Sequence, residues 1–258
     1  MKTETSEQLE EIEQKAQYSK KLQGTLGLDG SPVAVAITPE PPKGLGYLKR
    51  KLTPCMMVQM ARRGSFFYCS GAHILCGGRA HLGIGESPIR KLDDFLVRKE
   101  RLFGSKGAAR KLLDAAKIRA PQQGAYLAFS PLERASFTPN VVMFIGTPAQ
   151  ISRIIFLNAF DTGEVEAIHG EPLCSGAITT PIATAKIGVS FLDVSCRIFG
   201  RYRPEEMVVG VPYQRLPHII ENIDLSTAGT AKPAPLLRLA GTVLRRCVPD
   251  SSRQNDNW

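Results

Sequence analysis

Cysteine is the residue type in this chain best suited to carry chemistry, and its six copies are unevenly placed. Cys55, Cys69 and Cys76 lie close together, Cys174 and Cys196 follow much later, and Cys247 is near the end. No CxxC pair occurs, so the spacing is neither that of a zinc ribbon nor that of a ferredoxin run. Two local contexts are more telling. Cys76 is followed by Gly77 and Gly78, and Cys174 by Ser175 and Gly176. Glycine beside cysteine lets backbone approach a bulky inorganic cluster and aim N–H groups at its sulfides. The plainer alternative is that these cysteines are small buried hydrophobes.

Histidine supplies rival chemistry. His73 and His81 flank Cys76, a pattern compatible with zinc or another transition metal. His169 precedes Cys174 closely enough for a Cys–His nucleophilic pair. Arg197, Arg201 and Arg203 near Cys196 suit either an anion or a basic surface, and Glu205-Glu206 reads as a solvated strand entry. GLG at 44–46 and GIG at 83–85 lack the third glycine of a dinucleotide loop, and no GxxxxGK[ST], HExxH or GxSxG occurs. Kinase, simple dehydrogenase, zincin and α/β-hydrolase chemistry are therefore not expected.

The elements that must position these residues belong to an ordinary globular chain of 258 residues, 43% hydrophobic and 22% charged. The net charge of +9 is spread over short basic clusters such as Lys49-Arg50-Lys51 and Arg98-Lys99, which read as exposed surface rather than a nucleic-acid footprint. No stretch approaches the roughly 20 apolar residues of a membrane span. The N-terminus is acidic and polar, unlike a signal peptide. A cytoplasmic, reducing compartment with free thiols is the expectation.

Apolar spacing and charge order predict an amphipathic helix over 5–25. Strands are expected at Val33–Ile37, Ser65–Cys69, Tyr126–Phe129, Val141–Ile145, Glu164–Ile168, Ile187–Leu192 and Met207–Val211. Helices are expected from Pro54 to Arg63, over 91–118 with a break near Gly104, from Thr147 to Phe160, and from Pro212 to Asn222. Residues 71–85 read as a compact glycine-rich loop, Cys174 falls in a helix or loop, and Cys196 in a turn. The irregular mixture of elements predicts an α+β fold. It is one mixed-sheet domain over 1–225 with flanking helices. A flexible basic tail over 226–258 follows, partly helical around Leu236–Leu244 and then disordered.

Several phrases in order then carry a resemblance. They are Pro32–Ile37, Cys55 with Ala61-Arg62-x-Gly64, Cys76-Gly77-Gly78-Arg79, Phe137-x-Pro139-Asn140, Thr147–Gln150, and Glu206–Tyr213. Together they resemble an uncharacterised archaeal and bacterial family, domain of unknown function one-six-nine. The resemblance implies a ligand set of Cys55, Cys76, Cys174 and Cys196, excluding Cys69 and Cys247, consistent with a [4Fe–4S] cluster. Gly77, Gly78, Arg79 and Ser175 would then surround the cofactor. The functional expectation is a redox or electron-transfer protein of an anaerobic type, with a small-molecule or redox-protein partner. The alternatives are zinc or no metal at the cysteines, a cysteine-nucleophile enzyme, or a non-redox module that grips a small anionic or tetrapyrrole-like cofactor.

Overall fold

The structure is a computed structural model that describes residues 2–115, 126–163, 165, 167–170 and 172–230. Its strands are β1 (Val33–Thr38), β2 (Gly46–Tyr47), β3 (Phe67–Ser70), β4 (Tyr126–Pro131), β5 (Val141–Gly146), β6 (Ile168–His169), β7 (Gly188–Ser190) and β8 (Met207–Pro212). They form one mixed sheet in the order β2-β3-β4-β1-β5-β8-β7-β6. Ladders in the middle are antiparallel, and the two outermost pairs, β2–β3 and β6–β7, are parallel. The helices are α1 (Lys2–Leu26), α2 (Pro54–Arg62), α3 (Gly78–His81), α4 (Leu92–Arg98), α5 (Lys106–Ala115), α6 (Pro148–Ala159), α7 (Thr180–Thr184), α8 (Val194–Gly200), α9 (Leu216–Leu225) and α10 (Thr227–Thr230). The expected α+β class is what forms.

Alternation along the central strands divides the core in two. Val33, Val35, Phe129, Val141, Met143 and Val208 point to one face, with Cys55, Cys69, Cys174 and Cys196 among their neighbours. Ala34, Val142, Phe144, Val209 and Val211 point to the other, against Leu22 of α1, Ile154 and Leu157 of α6, and Ile219 of α9. Helix α6 starts as its sequence dictates. Thr147 caps it, Gln150 completes the capping box, and Pro148 takes the first turn.

On the first face a π-helical turn, Ser175–Thr179, lies directly on the sheet. The close approach needs glycine. A Cβ on Gly210 would stand 1.9 Å from the carbonyl oxygen of Ala177, and one on Gly188 would stand 2.0 Å from that of Gly176. This contact fixes the height of Cys174 above the strands.

Three expectations need correction. Cys196 is in the first turn of helix α8, not in a turn between elements, because Asp193 caps a helix there. The helix expected from Pro212 begins only at Leu216, after a tight turn at Tyr213–Arg215. Glu206 is not a solvated strand entry. It is 4% exposed and pairs with Arg62 at 2.7 Å. Beyond β8 and α9, helix α10 is held by Arg153, whose guanidinium donates to the carbonyls of Ala228 and Gly229. The rest of the expected tail, with Cys247 and Leu236–Leu244, lies outside the described residues, as do parts of the strand expected at Glu164–Ile168. Among the described residues no helix is long and apolar enough to cross a membrane.

Candidate functional site

Four cysteines from separate parts of the chain line one cavity of about 560 Å³. Cys55 sits in the first turn of α2, where Thr53 caps the helix and Pro54 begins it. Its thiol lies 2.9 Å from the Thr53 hydroxyl, and its carbonyl accepts a hydrogen bond from the buried Tyr202 hydroxyl. Cys196 sits in the first turn of α8. Asp193 accepts from its backbone N–H at 2.7 Å, and the Cys196 thiol points at the same carboxylate. Cys174 directly precedes the π turn. Cys76 precedes α3, and the Gly78 N–H donates to its sulfur at 3.4 Å. Each thiol therefore stands near the start of a helical segment.

The local charges are unbalanced. The Cys55 thiol is held below its ordinary value, chiefly by a hydrogen bond from Cys196, which outweighs burial. Cys196 is correspondingly held far up, by donating to Cys55 and then by burial. Burial pushes Cys76 up to about 11 and Cys174 well above its usual range. The negative charge of Asp193 raises all four. Among the described residues no lysine or arginine lines the cavity, and burial pulls His81 down to about 4, so it is neutral. The thiols are thus gathered without a protein cation to make them thiolates together. Among the described residues, no three histidine, cysteine, aspartate or glutamate side chains are already grouped to hold a metal ion. Seating one requires the thiols to turn toward a common centre.

The other candidate residues separate. Gly77 and Gly78 line the cavity, and the rigid Pro54 ring leaves no room for a side chain at Gly78. A Cβ on Gly77 would meet Leu92 at 2.9 Å, and one on Gly78 would meet Pro54 at 2.9 Å. Ser175 is buried behind Cys174, and its N–H lowers that thiol slightly. Arg79 turns away, toward the backbone at Gly71 and Gly85, and its Nε has no hydrogen-bond partner. His73 is also elsewhere, hydrogen-bonded to Tyr47 and Ser70. The side chain of His169 lies outside the described residues. Cys69 points into the core toward Met57, and burial pushes it up to about 12. Arg197 does not face the cavity but ties together the carbonyls of Phe191, Arg203 and Glu206.

Sequence reasoning missed Asp193 and Glu100. Asp193 had a signal: an aspartate three residues before Cys196 reads as a helix cap with cysteine in the first turn. Glu100 had none. It lines the cavity, accepts a hydrogen bond from Ser195, and has its carboxyl raised by burial.

These features define a class: an α+β domain with a partly open cavity walled on one side by four thiols. The chain belongs to the DUF169 family, described as "Uncharacterised ArCR", whose profile matches residues 21–222 and so takes in all four cavity cysteines. It is also similar to an uncharacterised protein of Methanocaldococcus jannaschii, 27% identical over 216 residues, which are 80% of this chain and 92% of that relative. No solved structure matches the chain.

Proposed function

We propose that Cys55, Cys76, Cys174 and Cys196 hold an iron–sulfur cluster, a [4Fe–4S] cluster by ligand number, and that the protein acts in electron transfer or in redox chemistry on a small molecule. The observation that carries this reading is the convergence of these four cysteines on one cavity while Cys69 stays in the apolar core. Thiolate ligands in a buried site require a compensating cation, and among the described residues no lysine, arginine or charged histidine lines the cavity to supply it. Iron bound by soft sulfur donors answers that need. Backbone N–H groups at Met56, Gly78 and Ser175 already lower the Cys55, Cys76 and Cys174 thiols and would strengthen as partners of bound sulfur. When bound, such a cluster supplies one-electron chemistry at a potential set by those hydrogen bonds and by exclusion of water. An anionic organic cofactor fits less well, because it would meet Asp193 and Glu100 with no lining cation. Zinc would use the same ligands without the redox role.

The test is iron, sulfide and zinc content with an absorption spectrum, on protein purified without oxygen. About four irons and four sulfides per chain are expected. Cys174→Ser and Cys196→Ser should lose them, whereas Cys69→Ser keeps them. Stoichiometric zinc, or iron that survives both ligand substitutions, would overturn the cluster.

A further inference from the structure

The thiols occupy only one wall of the cavity. The facing wall is built by α4, α5 and the turns around them, which contribute Leu92, Phe95, Leu96, Phe103, Leu112 and Leu113. A volume of about 560 Å³ falls among those of small-molecule sites, roughly 300–1,000 Å³. The aliphatic and aromatic lining makes hydrocarbon its natural occupant. Between the two walls stand a few polar groups, of which the two that carry charge, Glu100 and Asp193, are both acidic. The Glu100 carboxyl accepts from the Ser195 hydroxyl, and Asp193 lies two residues before that serine, also at the cavity. Both acidic side chains can accept a hydrogen bond from a ligand. Among the described residues neither lysine nor arginine lines the cavity to receive an anion.

We propose that this cavity binds a small, largely hydrocarbon molecule with a single hydrogen-bond-donating head, a hydroxyl or an amine, and that it rejects carboxylates and phosphates. The hydrocarbon part packs against Phe95, Leu96 and Phe103. The head group meets Glu100 and Ser195, beside the thiol wall. The inference extends the metal reading of the same site by naming the class of molecule placed beside it. It stands on the cavity's lining and charge alone.

Calorimetric titration of the full chain with nonanol, nonylamine and nonanoate, each below its aggregation limit, tests it. Nonanol and nonylamine should bind, and nonanoate should bind at least about tenfold more weakly, because its charge meets two carboxyls and no cation. Leu96→Trp fills the apolar wall and should abolish nonanol binding. A folded Leu96→Trp protein that binds nonanol like wild type overturns the proposal. If that variant does not fold, Glu100→Gln decides. It should narrow the preference for nonanol over nonanoate by at least about threefold, and unchanged discrimination overturns the head-group assignment. Absence of binding for all three compounds in iron-loaded wild type overturns this inference while leaving the cluster standing. A Cys174→Ser protein that loses iron yet still binds nonanol supports the pocket independently of the metal.

Discussion

The two faces of the sheet use the same strands to opposite ends. On one, α1, α6 and α9 close completely over Ala34, Val142, Phe144 and Val209, and their apolar side chains fill the space. On the other, α2, the π turn and α8 come down on the strands with cysteines at their leading ends, and α4 and α5 stand off behind a cavity. Four thiols, Asp193, Glu100 and neutral His81 line the cavity on the open face, whereas buried polar groups of the closed face such as Lys15 and Asn222 are tied to backbone carbonyls. A domain that needs a site can leave one face incompletely packed only if the other supplies most of the stability. The closed face therefore acts as scaffold, and the open face is the one that leaves room for a ligand.

Substitution on each face gives the largest effect that separates them. Phe144 is wholly buried between strands and helices, so Phe144→Ala should destabilise the protein by about 3–5 kcal/mol. Leu96 already borders empty space, and its truncation enlarges a cavity instead of creating one. Leu96→Ala should cost about 1–2 kcal/mol. Urea unfolding of the two variants measures the difference, and equal losses would mean that the faces are energetically alike.

How much of this was legible in the sequence follows the same division. The closed face is built from short apolar strands and from helices with ordinary punctuation, such as Thr147-Pro148, and both are local signals. The open face depends on contacts between residues far apart. Nothing near Cys55 announces Cys196, and their grouping came from family resemblance, not from spacing. Helix α8 was missed because its seven residues leave Val194, Ile198 and Phe199 exposed, so no buried stripe marks it. Glu206 was misread for the same reason: the arginine that buries it is 144 residues earlier in the chain.

That ion pair ties the open-face helix α2 to the entry of β8, and its removal should have the next largest effect. Arg62 is 7% exposed and also donates to the Asp29 carbonyl, while Glu206 accepts in addition from the Arg203 backbone N–H. Arg62→Met would leave Glu206 buried with only part of its hydrogen bonding, at a cost of about 3 kcal/mol. Burial alone would raise the Glu206 carboxyl. The Arg203 N–H and the Arg62 and Arg203 guanidinium groups outweigh it and hold the carboxyl below its ordinary 4.5. A carboxyl lowered by folding contributes stability that is present above pH 4.5 and is lost as the pH falls through its lowered value. Wild type should lose this increment in acid, and Arg62→Met should show a flatter acid limb in stability measured against pH.

The smallest change in stability should accompany the sharpest difference in chemistry, and it comes from comparing two helix caps. Thr147→Ala removes the cap of α6 on the closed face, which should cost about 1 kcal/mol and leave the thiols untouched. Asp193→Asn on the open face keeps a good capping residue for α8, so stability should change by no more than a few tenths of a kcal/mol. The charge, however, disappears from a position where it raises the thiols of Cys55, Cys76, Cys174 and Cys196 at once. In metal-free protein, the pH dependence of iodoacetamide alkylation should therefore shift to lower pH in Asp193→Asn and stay in place in Thr147→Ala. A shift in both, or in neither, would show that Asp193 serves the open face only as a cap. A shift confined to Asp193→Asn would mean that the carboxylate that starts α8 also raises the thiols around it.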